Sequence, residues 1–285
     1  MIEYKNLTLK NYFSLKKMYG KGKEFNQLND ELADNFQKSN FLSFLMSNQI
    51  IKLIKVNKKY IGYVWYENIY EDIYLIRDLY IPNKSFKYFD SLDINNMHFL
   101  YESYTSSKCN EILSKLNFFQ KDISDLMVLS MDKINIAESK DAEEYEVFQR
   151  DYHENIRCEL QNSIFDSNSR IPLTLDDVYF DEEQDYYIEN ACIFIKENDT
   201  YVGMGQIINL NNKLTVVNFG IRKEFRNKGY GKKLMNRILY SCTDIGKAFD
   251  KREVYIRVSK ENPIAYSLYE DLGFKYVDSI ISWEF

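Results

Sequence analysis

The stretch Leu214-Thr-Val-Val-Asn-Phe-Gly-Ile-Arg-Lys-Glu-Phe-Arg-Asn-Lys-Gly-Tyr-Gly-Lys-Lys-Leu-Met235 decides the fold. Residues 214–221 are rich in β-branched side chains and read as a buried strand. Arg222 to Lys228 turn the chain. Gly229-Tyr-Gly231 then opens a helix whose apolar positions, Leu234, Met235, Ile238, Leu239 and Cys242, share one face. Gly246 is expected to end that helix. Strand, glycine turn and helix N-terminus in this order make an anion site. The first amides of a helix have no internal partner, and the helix dipole adds partial positive charge there. Glycine lets the backbone approach a phosphate with no Cβ between them. Arg226, Lys228 and Lys232 add formal charge nearby.

Two phosphate loops are excluded by spacing. A Walker A loop needs four residues between its glycines and Lys-Ser/Thr after the second, which Gly229-Tyr-Gly231-Lys-Lys lacks. A dinucleotide fingerprint needs a third Gly or Ala at position 234, where Leu234 stands. The pattern Arg226-Asn-Lys-Gly229-Tyr-Gly231 instead resembles the R/Q-x-x-G-x-G/A pyrophosphate loop of the GNAT N-acetyltransferases. A second motif follows. After the strand-like Val254-Tyr-Ile-Arg-Val258 comes Asn262-Pro-Ile-Ala-Tyr-Ser-Leu-Tyr-Glu-Asp-Leu-Gly-Phe274. Asn262 suits an N-cap, Pro263 the first helical turn and Gly273 the C-terminus. Ile264, Ala265, Leu268 and Leu272 are expected to form the buried stripe. This segment resembles the N-x-x-A-x-x-L-Y-x-x-x-G-F motif of the same family, in the same order after the loop.

The resemblance implies an enzyme that moves an acetyl group from acetyl-CoA to a primary amine, on a small molecule or a peptide, by direct attack. It assigns the backbone of Phe219, Gly220 and Ile221 to the pantetheine arm and the thioester carbonyl. It assigns Arg226, Asn227, Lys228, Gly229, Tyr230, Gly231 and Lys232 to the pyrophosphate. Asn262 is read as half helix cap and half cofactor contact, and Tyr269 as the general acid. Many members place a Glu on the strand before the loop. Asn218 and Thr215 occupy that stretch here, so no base is named. Glu182, Glu183, Asp185 and Glu189 read as a solvated acidic face. A non-catalytic acyl-CoA-binding or partner-docking module is the rival reading.

The chain also repeats itself. Ile54-Lys-Val-Asn-Lys-Lys-Tyr-Ile-Gly62 matches Ile195-Lys-Glu-Asn-Asp-Thr-Tyr-Val-Gly203, at an offset of 141 residues. Tyr74–Ile81 faces Thr215–Arg222 at the same offset. Phe99–Ser103 then faces Tyr255–Ser259 and Leu116-Asn-Phe118 faces Leu272-Gly-Phe274, at an offset of 156. The first copy therefore lacks the residues that hold the glycine loop in the second. Its counterpart, Pro82–Asp90, contains no glycine, and Leu113 stands where Tyr269 stands. The expected fold is α/β, of the α+β kind: two tandem GNAT-like domains, each a mixed, mostly antiparallel sheet flanked by helices. Residues 1–135 form a degenerate domain without a cofactor loop, and 136–285 the acetyl-CoA-binding one. Helical stretches are expected to open each half, at 28–46 and 142–161.

Composition narrows the partners. The 285 residues carry a formal net charge of −6, which argues against broad nucleic-acid binding. Cys109, Cys158, Cys192 and Cys242 are far apart, and only His98 and His153 accompany them, so no metal site is expected. The thiols read as reduced, in a cytoplasmic protein. No run of about 18 apolar residues occurs, so no membrane span is expected. Oligomeric state is not legible.

Overall fold

The computed structural model describes residues 2–29, 49–89, 92, 94, 97–134, 144–166 and 172–285. The expected opening helix at 28–46 falls almost wholly outside them. In chain order the described strands are β1 (Ile2–Asn6), β2 (Gln49–Val56), β3 (Lys59–Tyr70), β4 (Ile73–Tyr80), β5 (His98–Tyr104), β6 (Phe119–Ser130), β7 (Tyr145–Val147), β8 (Cys192–Glu197), β9 (Thr200–Leu210), β10 (Lys213–Ile221), β11 (Glu253–Ser259) and β12 (Lys275–Glu284). The helices are α1 (Tyr12–Lys16), α2 (Gly22–Phe25), α3 (Asn110–Lys115), α4 (Glu154–Ile164), α5 (Leu175–Glu182), α6 (Tyr230–Ala248) and α7 (Pro263–Asp271).

The fold is mixed α/β and largely antiparallel, and it is built twice. One compact unit comprises Met1–Asp125 with Asp278–Phe285, the other Leu126–Val277. The sequence expectation set the boundary at 135/136; here it falls within the closing strands, with residues 126–130 of β6 in the second unit and 278–284 of β12 in the first. In the first unit β12 runs antiparallel to β5, with Ile280 opposite Tyr104 and Trp283 opposite Tyr101. Trp283 is buried there, and its Nε1 donates to Ser103 Oγ at 2.8 Å. In the second unit the strand order is β6-β11-β10-β9-β8-β7, and β6 enters it from Leu126.

The repeat is visible in the pairing registers. The β2–β3 hairpin slips between Ile54 and Lys55, and the β8–β9 hairpin slips between Ile195 and Lys196. The irregularity recurs at the offset of the first sequence match. Gly62 and Gly203 also occupy equivalent places. A Cβ on Gly62 would lie 2.3 Å from the Tyr80 carbonyl oxygen, and one on Gly203 would lie 2.8 Å from that of Gly220. Among the described residues each repeat shows a parallel pair: Ile73 with His98 in the first unit, Leu214 with Val254 in the second. Those registers reproduce both sequence offsets, 141 on one strand and 156 on the other.

Two helix expectations are corrected. Within 142–161, Tyr145–Val147 pairs as a strand with Ile193–Ile195, and the helix begins only at Glu154. Asp151, at φ 63°, turns the chain between them. Gly246 does not end α6, which continues to Ala248. It is small because Met131 packs there, with Sδ 2.4 Å from where a Cβ would stand. In the second core α6 buries Leu234, Met235, Ile238, Leu239 and Cys242 against β8, β9 and β10, the face read from the sequence. Cys109, Cys192 and Cys242 are buried and Cys158 is half-buried, all as free thiols. Among the described residues, no helix is long and apolar enough to cross a membrane.

Candidate functional site

β10 is the strand on which the site is built. It pairs in parallel with β11 only over Leu214–Val216. Against β9 its register shifts between Val217 and Gly220, and Asn218 takes a left-handed φ of 52°. Non-glycine residues adopt that conformation rarely, Asn among the more tolerant, and it marks a bulge that re-aims the strand. Phe219, Gly220 and Ile221 then border a cavity of about 440 Å³. Helix α4 closes one side through Ile164 and Phe165, and a Cβ on Gly220 would meet Ile164 Cγ2 at 2.3 Å. The sequence reading missed these two wall residues because it ended the helix at Gln161.

The glycine loop forms the next wall, with Arg226, Asn227 and Gly231 on the cavity. Asn227 (φ 63°) and Gly229 (φ 87°) are left-handed. Alternating hands of this kind turn successive amides toward one concave side, a nest for anions. The helical ladder of α6 begins with Lys233 N–H donating to the Gly229 carbonyl at 3.1 Å, so the preceding amides stand outside it. A Cβ on Gly231 would meet nothing closer than Leu268 at 3.8 Å, so this face is open. The Arg226 side chain also makes two main-chain contacts. Its Nε donates to the Ile221 carbonyl at 2.9 Å and its Nη2 to the Ile164 carbonyl at 3.0 Å. The guanidinium thus fastens the loop to the ends of β10 and α4.

Other loop side chains point elsewhere. Lys228 Nζ lies 4.9 Å from the Phe225 ring centre. Tyr230 donates to Glu197, a hydrogen bond that pushes its phenol up to about 12. The side chains of Lys228, Tyr230 and Lys232 do not line the cavity, and neither does Gly229.

Helix α7 supplies the far wall. Asn262 caps it, Oδ1 accepting from Ala265 N–H at 3.1 Å, with Pro263 in the first turn. Gly273, at φ 94°, closes it. The stripe differs from the one expected. Ile264 is 75% exposed at the cavity, and Tyr269 is the buried residue of the helix. Tyr269 packs edge-on to Phe219, with ring centres 6.1 Å apart. Burial raises its phenol above the ordinary value. The loop, the β10 bulge and Tyr269 are therefore brought to one cavity, together with Asn262.

On α4, α5, β9 and β10 lies a partly buried polar chain that sequence periodicity did not reveal. Gln161 Nε2 donates to Asn218 Oδ1 (3.2 Å), Asn218 Nδ2 to Gln206 Oε1 (3.1 Å), and Gln206 Nε2 to Asp181 Oδ2 (3.1 Å). Arg157, 2% exposed, donates to Asp181 and Gln206. The acidic stretch is not a uniform solvated face. Glu182 is 7% exposed, and burial, then the charge of Glu154, raises its carboxyl above the ordinary 4.5.

At the equivalent place in the first unit, side chains bond to the two strands. The segment Pro82–Phe89 carries a short 3-10 turn over Asn83–Tyr88 instead of a glycine loop. Asn29 Nδ2 donates to the carbonyl of Leu79, the counterpart of Gly220, at 2.9 Å, and to that of Gly22 at 2.8 Å. Tyr101 on β5 donates to Asn29 Oδ1, and Asn26 donates to the Glu102 carbonyl. Both asparagines are buried. They bond to the main chains of β4 and β5 beyond Leu75 and Leu100, where parallel pairing stops. Leu113 is buried in the first core.

Comparison with known proteins agrees with this layout. Residues 158–274 match the Acetyltransferase (GNAT) family. No curated protein sequence matches the chain significantly. Among solved structures, a GCN5-related N-acetyltransferase from Sphaerobacter thermophilus has a TM-score of 0.65 at 12% identity, covering 100% of this chain and 95% of that one. A tandem GNAT protein from the clavulanic acid biosynthesis pathway has a TM-score of 0.60 at 9% identity, covering 100% and 98%. A GNAT-family acetyltransferase from Colwellia psychrerythraea has 0.58 at 13%, covering 100% and 99%. At such identities the likeness is one of fold. Residues 158–274 thus match the GNAT acetyltransferase family, in a chain with the fold of tandem GNAT proteins.

Proposed function

We propose that the second unit transfers an acetyl group from acetyl-CoA to a primary amine. The observation that carries this reading is the convergence of the bulged β10, the left-handed glycine loop and the buried Tyr269 on one cavity. The fit to the coenzyme rests on the loop's amides outside the helical ladder and on the open face at Gly231. When bound, acetyl-CoA supplies the activated acetyl thioester.

The chain's own residues then have distinct tasks. Amides of Asn227 to Lys232 hold the diphosphate, with Arg226 fixing the loop's shape. Backbone N–H from Phe219 to Ile221 stabilises negative charge on the carbonyl oxygen, a donor worth about 3 kcal/mol in comparable sites. Tyr269 delivers its hydroxyl proton to the departing sulfur as the amine nitrogen replaces it on the acetyl carbon, and the proton that nitrogen loses on becoming an amide passes by way of solvent to restore the phenol. Burial raises the phenol, which weakens it as an acid. It destabilises a thiolate formed in the same cavity in the same way, so the difference between them is preserved.

The test is release of free thiol from acetyl-CoA on addition of spermidine, glucosamine or a peptide with a free N-terminus. Amine-dependent release is expected with at least one. Tight coenzyme binding with no release on any amine would favour the non-catalytic acyl-CoA-binding reading.

A further inference from the structure

Where β10 slips against β9, its two faces change places. Before the slip Leu214 and Val216 are buried in the second core; after it Ile221 is buried there and Phe219 packs against it. Even-numbered positions give way to odd-numbered ones, the shift of one residue that a bulge introduces. In an unbroken strand Asn218 would point to the core side and Phe219 to the opposite face. The slip instead sends Asn218 to Gln161 and Gln206, and brings Phe219 to the cavity.

The Phe219 ring is fixed by its neighbours. A Cβ on Gly205 of β9 would lie 3.3 Å from Phe219 Cδ2, closer than ordinary contact, so glycine there leaves the ring its place. Tyr269 meets it edge-on, and Tyr269 in turn packs on Phe274 with ring centres 5.9 Å apart. The cavity runs from exposed Ile264 and Asn227 to buried Tyr269. Phe219 is the first residue of β10 on it, and among the described residues none of β11 lines it. Phe219 and Tyr269 therefore form its inner end. Closely packed rings have little freedom to move aside.

We propose that the Phe219 side chain is the end stop for the acyl group, so that the site takes acetyl and excludes longer straight chains such as hexanoyl. This rests on the acyl-transfer reading above and adds to it the size of the group transferred. In that reading the carbonyl oxygen faces an N–H of Phe219 to Ile221, and the sulfur faces Tyr269. The carbonyl carbon holds oxygen, sulfur and the acyl chain in one plane. The chain therefore starts between Phe219 and Tyr269, where the two rings meet. A methylene that an apolar pocket does not house costs roughly 10–200-fold in discrimination.

The experiment measures calorimetric affinity for acetyl-CoA and for hexanoyl-CoA, without amine, in the unsubstituted protein, Phe219→Leu and Phe219→Ala. The unsubstituted protein should bind hexanoyl-CoA at least about tenfold more weakly than acetyl-CoA. Both variants open space at the inner end and should narrow that ratio, alanine further than leucine, to within about threefold. Leucine keeps most of the packing, so the comparison survives if alanine unfolds the domain. Tyr269→Phe keeps both rings and should leave the ratio as it is. Equal affinities for the two thioesters in the unsubstituted protein would overturn the inference, as would a ratio unchanged in the folded Phe219 variants. Binding of neither thioester to the unsubstituted protein would instead overturn the acyl-transfer reading, and this inference with it.

Discussion

The two units start from one plan and diverge at one point. In each, two strands pair in parallel for three residues and then part. In the second unit the parting borders a cavity walled by a glycine loop and Tyr269. In the first, Asn26 and Asn29 bond to the carbonyls of Glu102 and Leu79 on the two strands. Main-chain groups freed by a splay need partners from somewhere. One copy supplies them from its own side chains, and in the other the parted strand borders the cavity. The loss of the glycine loop in the first copy is thus matched by a gain of buried asparagines.

The sharpest way to break this comparison is Tyr269→Phe. Turnover at neutral pH should fall on the order of a hundredfold, the usual worth of a placed general acid, with coenzyme affinity unchanged. Because burial raises the phenol, the unsubstituted enzyme should hold its acid form past pH 10.0, so no alkaline decline of kcat belongs to Tyr269 below that. Leu113→Tyr, the reciprocal change in the first unit, should create no activity. Undiminished kcat in Tyr269→Phe would remove that residue from the chemistry.

Next in size is Asn29→Ala. It strips partners from Leu79, Gly22 and Tyr101 at once. At roughly 1–3 kcal/mol for each buried group, denaturant unfolding should reveal a loss of about 3 kcal/mol or more. The acetyl-CoA stoichiometry should not change. A gain of a second coenzyme site would mean that the asparagines were all that blocked the first unit.

Smaller effects separate the two loop glycines. Gly229, at φ 87°, should lose about 1–2 kcal/mol on substitution by Ala, although no atom lies within 4 Å of the new Cβ. Gly231→Ala meets only ordinary contacts and should shift stability by less than about 0.5 kcal/mol. Equal thermal shifts for both would contradict the left-handed turn.

The smallest expected effect concerns Glu182. Its folded carboxyl sits above 4.5, so whatever stability it contributes is present below that pH and is lost as pH rises through the folded value. Glu182→Gln should therefore raise Tm at neutral pH and not in acid. An equal shift at both would show that burial is not what disfavours the charge.

The parts of this layout that the sequence displays are local ones. A β-branched strand, two glycines, an Asn-Pro cap and a closing Gly-Phe sit within contiguous segments, where residue type dictates backbone shape. The repeat was legible because strand registers carry sequence offsets directly, and even the slip at Ile54 recurs at Ile195. What was hidden is non-local. Tyr145–Val147 is too short to announce a strand, and only its pairing with β8 makes it one. The division of β6 and β12 between the units leaves no periodic trace. Asn29, Gln161 and Gln206 carry no sequence mark of their burial, since a buried amide is recognised only by its partners.

The most direct test of the central claim is a calorimetric titration of the full chain with acetyl-CoA, repeated on Gly231→Glu, which sets a carboxylate against the diphosphate. The account predicts one molecule bound per chain and none in the variant. Two molecules per chain, or binding that survives in Gly231→Glu, would contradict it.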